Sequence, residues 1–302
     1  MPKLVRHMFC PGAAGNLRAP CRLPAASRSP AVIYLPARLH TLHRQPQTPL
    51  PSRRAPPILR RDQRERGREM AGAVGDDAGM DAVQRRLMFE DECMLVDEQD
   101  NVVGHASKYN CHLLEKNLLH RAFSVFLFNS NCELLPQQRS ATKVAFPLVW
   151  SNTCCSHPLY RESELIQEKD LGVRNAAQRK VLDKLGIPAE DAPVDQFTPV
   201  GRMLYMAPSD GKWSEHELTH MLFIVRDVKL HPNPDEVAEV KYVNREQLKE
   251  LIRKADAGED GVKLSPWFRL IADNFLMGWW DHVEKGTLSE AADMETIHNL
   301  KE

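Results

Sequence analysis

Long apolar segments and a regular cysteine pattern are both missing from this 302-residue sequence. No apolar run reaches the roughly 18 residues that a membrane-spanning helix requires, so we expect no membrane span. The seven cysteines are odd in number, and two of them, Cys154 and Cys155, are adjacent. This pattern argues against a framework of disulfide bonds and indicates a reducing compartment.

Acidic residues are absent from the first 61 positions, which carry eleven basic side chains, ten of them arginine. This segment has few periodic apolar positions, so it cannot bury enough surface to offset its chain entropy. We expect residues 1–69 to be disordered and to serve as an organelle transit peptide, because Arg- and Ser-rich, acid-poor N-termini are typical of such signals. The alternatives are an ordinary disordered tail or an upstream extension of the reading frame, and a shorter product could start at Met70.

The rest of the chain is net acidic. Once those eleven basic residues are set aside, 29 basic residues remain against 41 acidic ones, a balance of −12. Nucleic-acid phosphates are bound by clustered Lys and Arg, so this balance argues against a nucleic-acid partner.

Strand and helix patterns intermingle from about Arg86 onward. Apolar residues four positions apart predict a helix from Arg174 to Leu185, closed by Gly186. Further helices are predicted from Arg245 to about Ala255 and from Pro266 to about Glu284. Predicted strands cover a hairpin at 94–96 and 102–103, then 122–128, 134–135 (interrupted by Pro136), 200–206, 216–225 and 237–243. With no internal repeat, the pattern predicts one α/β domain over residues 86–300.

Three histidines and two glutamates are candidate metal ligands. His112 and His120 are predicted in one loop-to-strand segment, and His157 follows further along the chain. Glu215 and Glu217 share one face of a strand, and paired carboxylates require a cation or a proton. Together these groups suit Zn²⁺, Mn²⁺ or Mg²⁺. Spacing alone does not separate this site from unrelated surface histidines beside a solvated glutamate pair.

Lys108, Arg139 and Lys143 are candidate anion ligands. Arg139 and Lys143 are four residues apart, so both could address one anion, the first as a fork and the second as a point charge. The alternative is solvated surface charge.

Four sequence blocks together resemble the type I isopentenyl diphosphate isomerases, and the plant members most closely. The blocks are LLHRAFSVFLF at 118–128, WSNTCCSHPL at 150–159, GKWSEHEL at 211–218 and LSPWF at 264–268. Their order and spacing match the family, and the resemblance runs from about 86 to 300. It implies a Nudix-type α/β fold with a mixed sheet sandwiched by helices. It also implies interconversion of isopentenyl and dimethylallyl diphosphate in isoprenoid biosynthesis.

The resemblance implies a role for each candidate residue. Cys155 and Glu217 correspond to catalytic groups on opposite faces of the substrate, Tyr205 to an aid in alkene protonation, and Trp267 to the indole over the allyl portion. The implied metal ligands are His112, His120, His157, Glu215 and Glu217, and the implied diphosphate contacts are Lys108, Arg139, Lys143 and Ser156. Mg²⁺ is expected with the diphosphate, and a second divalent metal in the His/Glu site.

The implied chemistry explains these residue types. Moving the double bond requires protonation of one carbon and deprotonation of another, through a tertiary carbocation that water would capture unless the site closed. An indole face stabilises such a cation by about 2 kcal/mol or more when desolvated. Cys155 can remove a proton as thiolate, and Glu217 can transfer the other with Tyr205. Cys154 is expected only to pack in the core.

The predicted helix ending at Leu185 departs from Nudix hydrolases. Three positions at which those enzymes carry glutamate hold Lys180, Asp183 and Lys184, and hydrolysis there depends on metals bound by the acidic cluster. Diphosphate hydrolysis is therefore not expected. Isomerases usually keep glutamate at position 184 as well. Lys184 could bind a phosphate oxygen directly, or it could weaken magnesium-dependent binding, and the sequence does not decide between these.

Other departures concern Pro136, Thr219 and His220, where plant-like members have Leu, Asp and Tyr. These positions leave three hypotheses: an active isomerase, which is preferred, a non-catalytic or impaired diphosphate-binding relative, and a Nudix hydrolase. We expect a monomer acting on a small isoprenoid diphosphate. The plant-like body favours a plastid, then a mitochondrion, with a cytosolic form if translation starts at Met70.

Overall fold

The computed structural model describes residues 79–300, of which 82–300 belong to one compact unit. The predicted transit segment 1–69 and the alternative start at Met70 lie outside the described residues. No helix among the described residues is long and apolar enough to cross a membrane.

Ten strands within residues 79–300 form two sheets. They are β1 (Glu92–Val96), β2 (Val102–Ser107), β3 (His120–Phe128), β4 (Gln137–Arg139), β5 (Trp150–Ser151), β6 (Cys154–Ser156), β7 (Thr198–Pro208), β8 (Ser214–Val225), β9 (Val237–Val240) and β10 (Ile297–Asn299). The larger sheet has the order β10-β7-β8-β3-β1-β2, with β6 also paired to β3, and the smaller one has the order β5-β4-β9. The pairs β3–β8 and β7–β10 are parallel and the others are antiparallel, so the predicted mixed sheet is confirmed.

The central strand β3 is apolar along most of its length because both of its faces are covered. Phe126 and Phe128 belong to a core cluster with Trp280. Val125 and Leu127 point to the opposite face and share a second cluster with residues of the helix that ends at Leu185. The sheet is therefore packed by helices on both faces, as the sequence predicts.

Six α-helices complete the unit. They are α1 (Ala82–Glu90), α2 (Lys108–His112), α3 (Leu171–Leu185), α4 (Arg245–Ala257), α5 (Pro266–Ile271) and α6 (Met277–Lys285). The helix predicted from Pro266 is confirmed, with a π-helical segment, Ala272–Leu276, between α5 and α6. Gly186 ends α3 at φ 64°, and a Cβ there would lie 2.7 Å from the Cβ of His231. Only glycine fits that C-cap without strain.

Some local predictions need correction. His112 does not lie in a loop, because Lys108–His112 forms α2, whose first turn is capped by the Ser107 hydroxyl. Five residues are too few to show helical periodicity. The strand predicted at 134–135 reduces to isolated bridges from Leu134 to Phe128 and Val243, and β4 begins after Pro136. Helix α1 begins before the expected start of the domain near Arg86, and β10 joins the sheet by parallel pairing that local sequence does not reveal.

Most cysteines among the described residues are unpaired. Cys93, Cys111, Cys154 and Cys155 are free thiols, and Cys132 is disulfide-bonded.

Candidate active site

Strand register brings the predicted site residues together. The parallel pairing of β3 and β8 sets His120 opposite Glu217, and the antiparallel pairing of β7 and β8 sets Tyr205 opposite the same glutamate. Strand β6 pairs with β3 so that Cys155 lies opposite Ser124. Glu217, Tyr205 and Cys155 thus meet at one pocket. Its lining also includes Lys108, Arg139, Lys143, Ser156 and Trp267.

The five predicted metal ligands form one buried cluster. His112, His120, His157, Glu215 and Glu217 each offer a ligand atom, and these atoms all lie within 4.8 Å of one another. Nε2 of His112 is 3.0 Å from a Glu215 oxygen, and Nε2 of His157 is 2.8 Å from a Glu217 oxygen. Side chains from separate parts of the sequence therefore lie around one point in the fold.

The histidines are held in the form that binds metal. Nδ1 of His112 lies 2.7 Å from the Lys108 carbonyl oxygen and Nδ1 of His120 lies 2.8 Å from that of Leu118, so each donates there and leaves Nε2 free. Nε2 of His120 is buried without a hydrogen-bond partner. Burial and the charge of His112 lower the pKa of His120 to about 3, which keeps its imidazole neutral. This donor set fits a divalent metal ion.

The two glutamates differ in protonation. Burial raises the pKa of a carboxyl, but His112 outweighs it at Glu215 and lowers that pKa. Burial and the charge of Glu215 raise the pKa of Glu217 well above its usual value. Glu217 accepts hydrogen bonds from the Tyr205 hydroxyl at 2.7 Å and the Thr219 hydroxyl at 3.2 Å. Two like charges this close separate their pKa values, and Glu217 is the carboxyl whose pKa is raised.

Cys155 is the thiol that faces the pocket. A guanidinium nitrogen of Arg139 lies 3.7 Å from its Sγ, and Arg139 is anchored through the carbonyls of Phe146 and Ala145 at 2.9 and 2.8 Å. Cys154 is fully buried in the second core cluster, and burial raises its pKa to about 12. The structure thus places Cys155 at the pocket and packs Cys154 in the core, as expected for Cys154.

Asn152, which sequence reasoning did not single out, orients the indole of Trp267. Its amide oxygen accepts a 3.0 Å hydrogen bond from the indole Nε1, and its amide nitrogen donates to the carbonyls of Val125 and Cys154. The Arg139 guanidinium carbon lies 5.4 Å from the Trp267 ring centroid. Asn152 falls inside the WSNTCCSHPL block, which is the one signal that could have identified it.

Buried lysines surround Glu236. This glutamate is not among the site residues predicted from the sequence. Nζ of Lys143 lies 3.0 Å from both carboxylate oxygens of Glu236 and 3.0 Å from the amide oxygen of Gln84. Nζ of Lys184 lies 3.1 Å from Glu236 and donates a 2.9 Å hydrogen bond to the carbonyl of Cys155. Arg139 and Lys143 therefore line one pocket but have different partners.

Helix α3 has a structural role. Arg179 makes two hydrogen bonds, of 2.8 and 2.9 Å, to the buried carboxylate of Glu164. Lys180 lies 3.4 Å from Asp183, which is half exposed and is the one acidic residue of this helix. Helix α3 thus lacks the cluster of acidic residues that metal-dependent diphosphate hydrolysis requires.

Comparison with known proteins identifies the family of this chain. A family model described as the NUDIX domain matches residues 118–268, half of the chain. "Isopentenyl-diphosphate Delta-isomerase II" of Clarkia xantiana is 80% identical over 76% of this chain and 80% of its own length. The "Isopentenyl-diphosphate Delta-isomerase II, chloroplastic" of Arabidopsis thaliana is 80% identical over 74% and 80%, and the "Isopentenyl-diphosphate Delta-isomerase 1, chloroplastic" of Cannabis sativa is 77% identical over 76% and 83%.

The mixed sheet, the helix α3 and the family match define a Nudix-domain protein. Within that superfamily, the chain belongs to the plant type I isopentenyl-diphosphate Delta-isomerases.

Proposed function

We propose that this chain interconverts isopentenyl diphosphate and dimethylallyl diphosphate, with Glu217 and Cys155 as the two proton-transfer groups. The observation that carries this assignment is the placement of a proton-bearing carboxyl and a free thiol on the lining of one pocket. An isomerisation by protonation and deprotonation needs one group of each kind.

Glu217 and Tyr205 deliver the first proton. Glu217 retains a proton because of burial and the charge of Glu215, and the Tyr205 hydroxyl is hydrogen-bonded to it. The proton adds to the terminal methylene of isopentenyl diphosphate, and the alkene electron pair forms the new C–H bond. The resulting positive charge is on the neighbouring tertiary carbon.

Cys155 completes the exchange by removing a proton from the adjacent methylene, whose C–H electron pair becomes the new double bond. A guanidinium nitrogen of Arg139 lies 3.7 Å from Sγ, the atom that accepts this proton. In the reverse direction, the thiol returns the proton.

Trp267 stabilises the cationic intermediate. Its indole is buried, lines the pocket and is fixed by Asn152, so a face of the ring can meet positive charge without water. Such an interaction contributes about 2 kcal/mol when desolvated.

A divalent ion held by His112, His120, His157, Glu215 and Glu217 would supply positive charge that polarises the Glu217 carboxyl. The ion can be Zn²⁺, Mn²⁺ or Mg²⁺ with this donor set. Lys108, Lys143 and Ser156 line the pocket where the diphosphate binds, and Arg139 contributes charge there as well as at Cys155.

One assay tests the reaction. The full chain is incubated with isopentenyl diphosphate and a divalent metal in D₂O and followed by NMR. We expect dimethylallyl diphosphate with deuterium in a methyl group. Release of inorganic phosphate instead would identify a hydrolase, and full turnover by a Cys155→Ala variant would overturn the thiol's role.

A second candidate function is diphosphate binding without catalysis, which Lys184 favours because it stands among the substrate-binding cations. Binding of isopentenyl diphosphate without deuterium exchange would support it.

We also propose that the chain is a monomer and that it acts in plastids, since relatives from two plants carry "chloroplastic" in their names. A mitochondrial location, or a cytosolic form starting at Met70, is the alternative. Light scattering on the purified chain and a fluorescent fusion of residues 1–70 test these points.

A further inference from the structure

Four lysines surround one carboxylate beside the metal-ligating cluster. Glu236 is buried, and burial, which would raise its pKa, is outweighed by Lys184, Lys143, Lys180 and Lys108, which lower it below its usual value. Lys143, Lys180 and Lys184 are buried, with 4–8% of each residue exposed. Burying an ammonium group is unfavourable unless it is paired. Burial alone would lower the pKa of Lys184, but the charge of Glu236 outweighs it and raises that pKa, so Lys184 keeps a positive charge suited to an anion.

The two closest ammonium groups leave little room for a metal ion. Lys143 contacts both oxygens of Glu236 at 3.0 Å, and Lys184 contacts one of them at 3.1 Å. The Lys184 ammonium also donates a 2.9 Å hydrogen bond to the carbonyl oxygen of Cys155. Magnesium demands an octahedron of oxygen ligands at about 2.0–2.1 Å. The residues here do not fit Mg²⁺, because the oxygens that could coordinate it already face ammonium nitrogens.

We propose that the ammonium of Lys184 replaces the magnesium ion at the diphosphate subsite, so that this chain binds the diphosphate directly through Lys184 without Mg²⁺. Nζ of Lys143 already contacts Gln84 and both oxygens of Glu236. The inference rests on the proposed function, because it concerns the substrate of the same pocket. Glu236 then acts as a positioning residue, since it holds both ammonium groups toward the pocket before the anion arrives.

The charge of residue 184 therefore decides whether binding depends on magnesium. A lysine supplies the positive charge itself. A glutamate at the same position would lie beside Glu236 and present two carboxylates, which repel the diphosphate unless a cation lies between them. A charge-assisted hydrogen bond lost from a buried site corresponds to about a tenfold to hundredfold change in Kd.

Calorimetry with inorganic diphosphate tests this directly, because that probe is not isomerised. The full chain carries zinc in the His/Glu site throughout, and Kd is measured with and without Mg²⁺. For the unaltered chain we expect Kd to stay constant or to weaken when Mg²⁺ is added, because Mg²⁺ competes for the free anion. Lys184→Glu should bind at least about tenfold more weakly without Mg²⁺ and recover when it is added.

Two variants serve as controls. Lys184→Arg keeps the charge and should keep magnesium-independent binding, whereas Lys249→Gln removes an exposed lysine on α4 and should change nothing. If Lys184→Glu does not fold, the unaltered chain and Lys184→Arg still decide the point, because the first measurement needs no substitution.

Tightening of diphosphate binding by about tenfold or more when Mg²⁺ is added to the unaltered chain would overturn the proposal. So would equal affinity of Lys184→Glu and the unaltered chain without Mg²⁺. These results are independent of the D₂O assay: magnesium-independent binding without isomerisation would defeat the proposed function alone, and isomerisation with magnesium-dependent binding would defeat this inference alone.

Discussion

The hydroxyl of Tyr205 donates a 2.7 Å hydrogen bond to Glu217, its partner in the register of β7 and β8. Burial raises the pKa of the phenol well above its usual value. Tyr205 therefore remains a proton donor at neutral pH. The pair links one proton-transfer group to the sheet itself, so its geometry depends on strand pairing rather than on a flexible loop.

Removing that hydroxyl should slow the reaction without preventing substrate binding. Tyr205→Phe keeps the ring that packs near Trp267 but removes the shorter of the two hydroxyl hydrogen bonds to Glu217. We expect kcat to fall about a hundredfold, within the range of a lost general acid–base partner, with little change in KM. Steady-state kinetics measure both. Tyr242→Phe, in the second core region, is the control, and an equal loss there would show that the effect is not specific.

The two adjacent cysteines should respond differently to substitution. Cys155→Ala removes the thiol next to Arg139. It should abolish turnover and leave the free energy of unfolding nearly unchanged. Cys154→Ala should keep turnover but lower the free energy of unfolding by about 1 kcal/mol, because it leaves a small void in a fully buried region. Urea unfolding and the D₂O assay on both variants make the comparison. The opposite pattern would exchange the roles assigned to the two thiols.

The fold can be predicted from strong local patterns, whereas the candidate site is predicted from the resemblance of four sequence blocks. The apolar run of β3 and the spacing in α3 are visible without a structure. The partners of Lys184 cannot be recognised in the sequence. Glu236 resembles a surface glutamate there, and it is buried only once β4 and β9 have paired. Asn152 escaped notice for a similar reason. Its importance comes from a hydrogen bond to a residue 115 positions away.

Acid should destabilise the metal-free chain through His120. Its folded-state pKa of about 3 lies below the ordinary value of about 6.5. The unfolded state therefore binds a proton that the folded state cannot, and the free energy of unfolding falls as the pH drops from about 6.5 towards 3. At pH 5 the loss from this one group is on the order of 2 kcal/mol.

Substitution isolates that contribution. His120→Gln no longer titrates, so chelator-treated protein should lose less stability between about pH 7 and pH 5 than the unaltered chain. Urea unfolding at several pH values measures the difference. The variant should also bind less divalent metal per chain in elemental analysis, because one member of the five-residue cluster is gone. Equal pH slopes for the two proteins would contradict the assignment of a neutral buried imidazole.

His220 should have the opposite pH dependence, since it is buried between two carboxylates. Its Nε2 lies 2.8 Å from Asp100 and its Nδ1 3.3 Å from Asp170, while Arg121 and Arg202 also contact Asp100. Burial alone would lower the pKa of His220, but the two aspartates raise it above its usual value.

The stabilising contribution of this ion pair is thus fully present below about pH 6.5 and is lost as the pH rises through the raised pKa. His220→Gln should cost more stability at about pH 6 than at about pH 9, by roughly 1 kcal/mol or more, because a partner is removed from a buried charge pair. Thermal unfolding of the metal-loaded protein at both pH values measures it. His216→Gln, on the same strand, is the matched control because its ring contacts the Asn117 carbonyl rather than a carboxylate. A larger loss at the higher pH would show that His220 is held neutral in the folded protein.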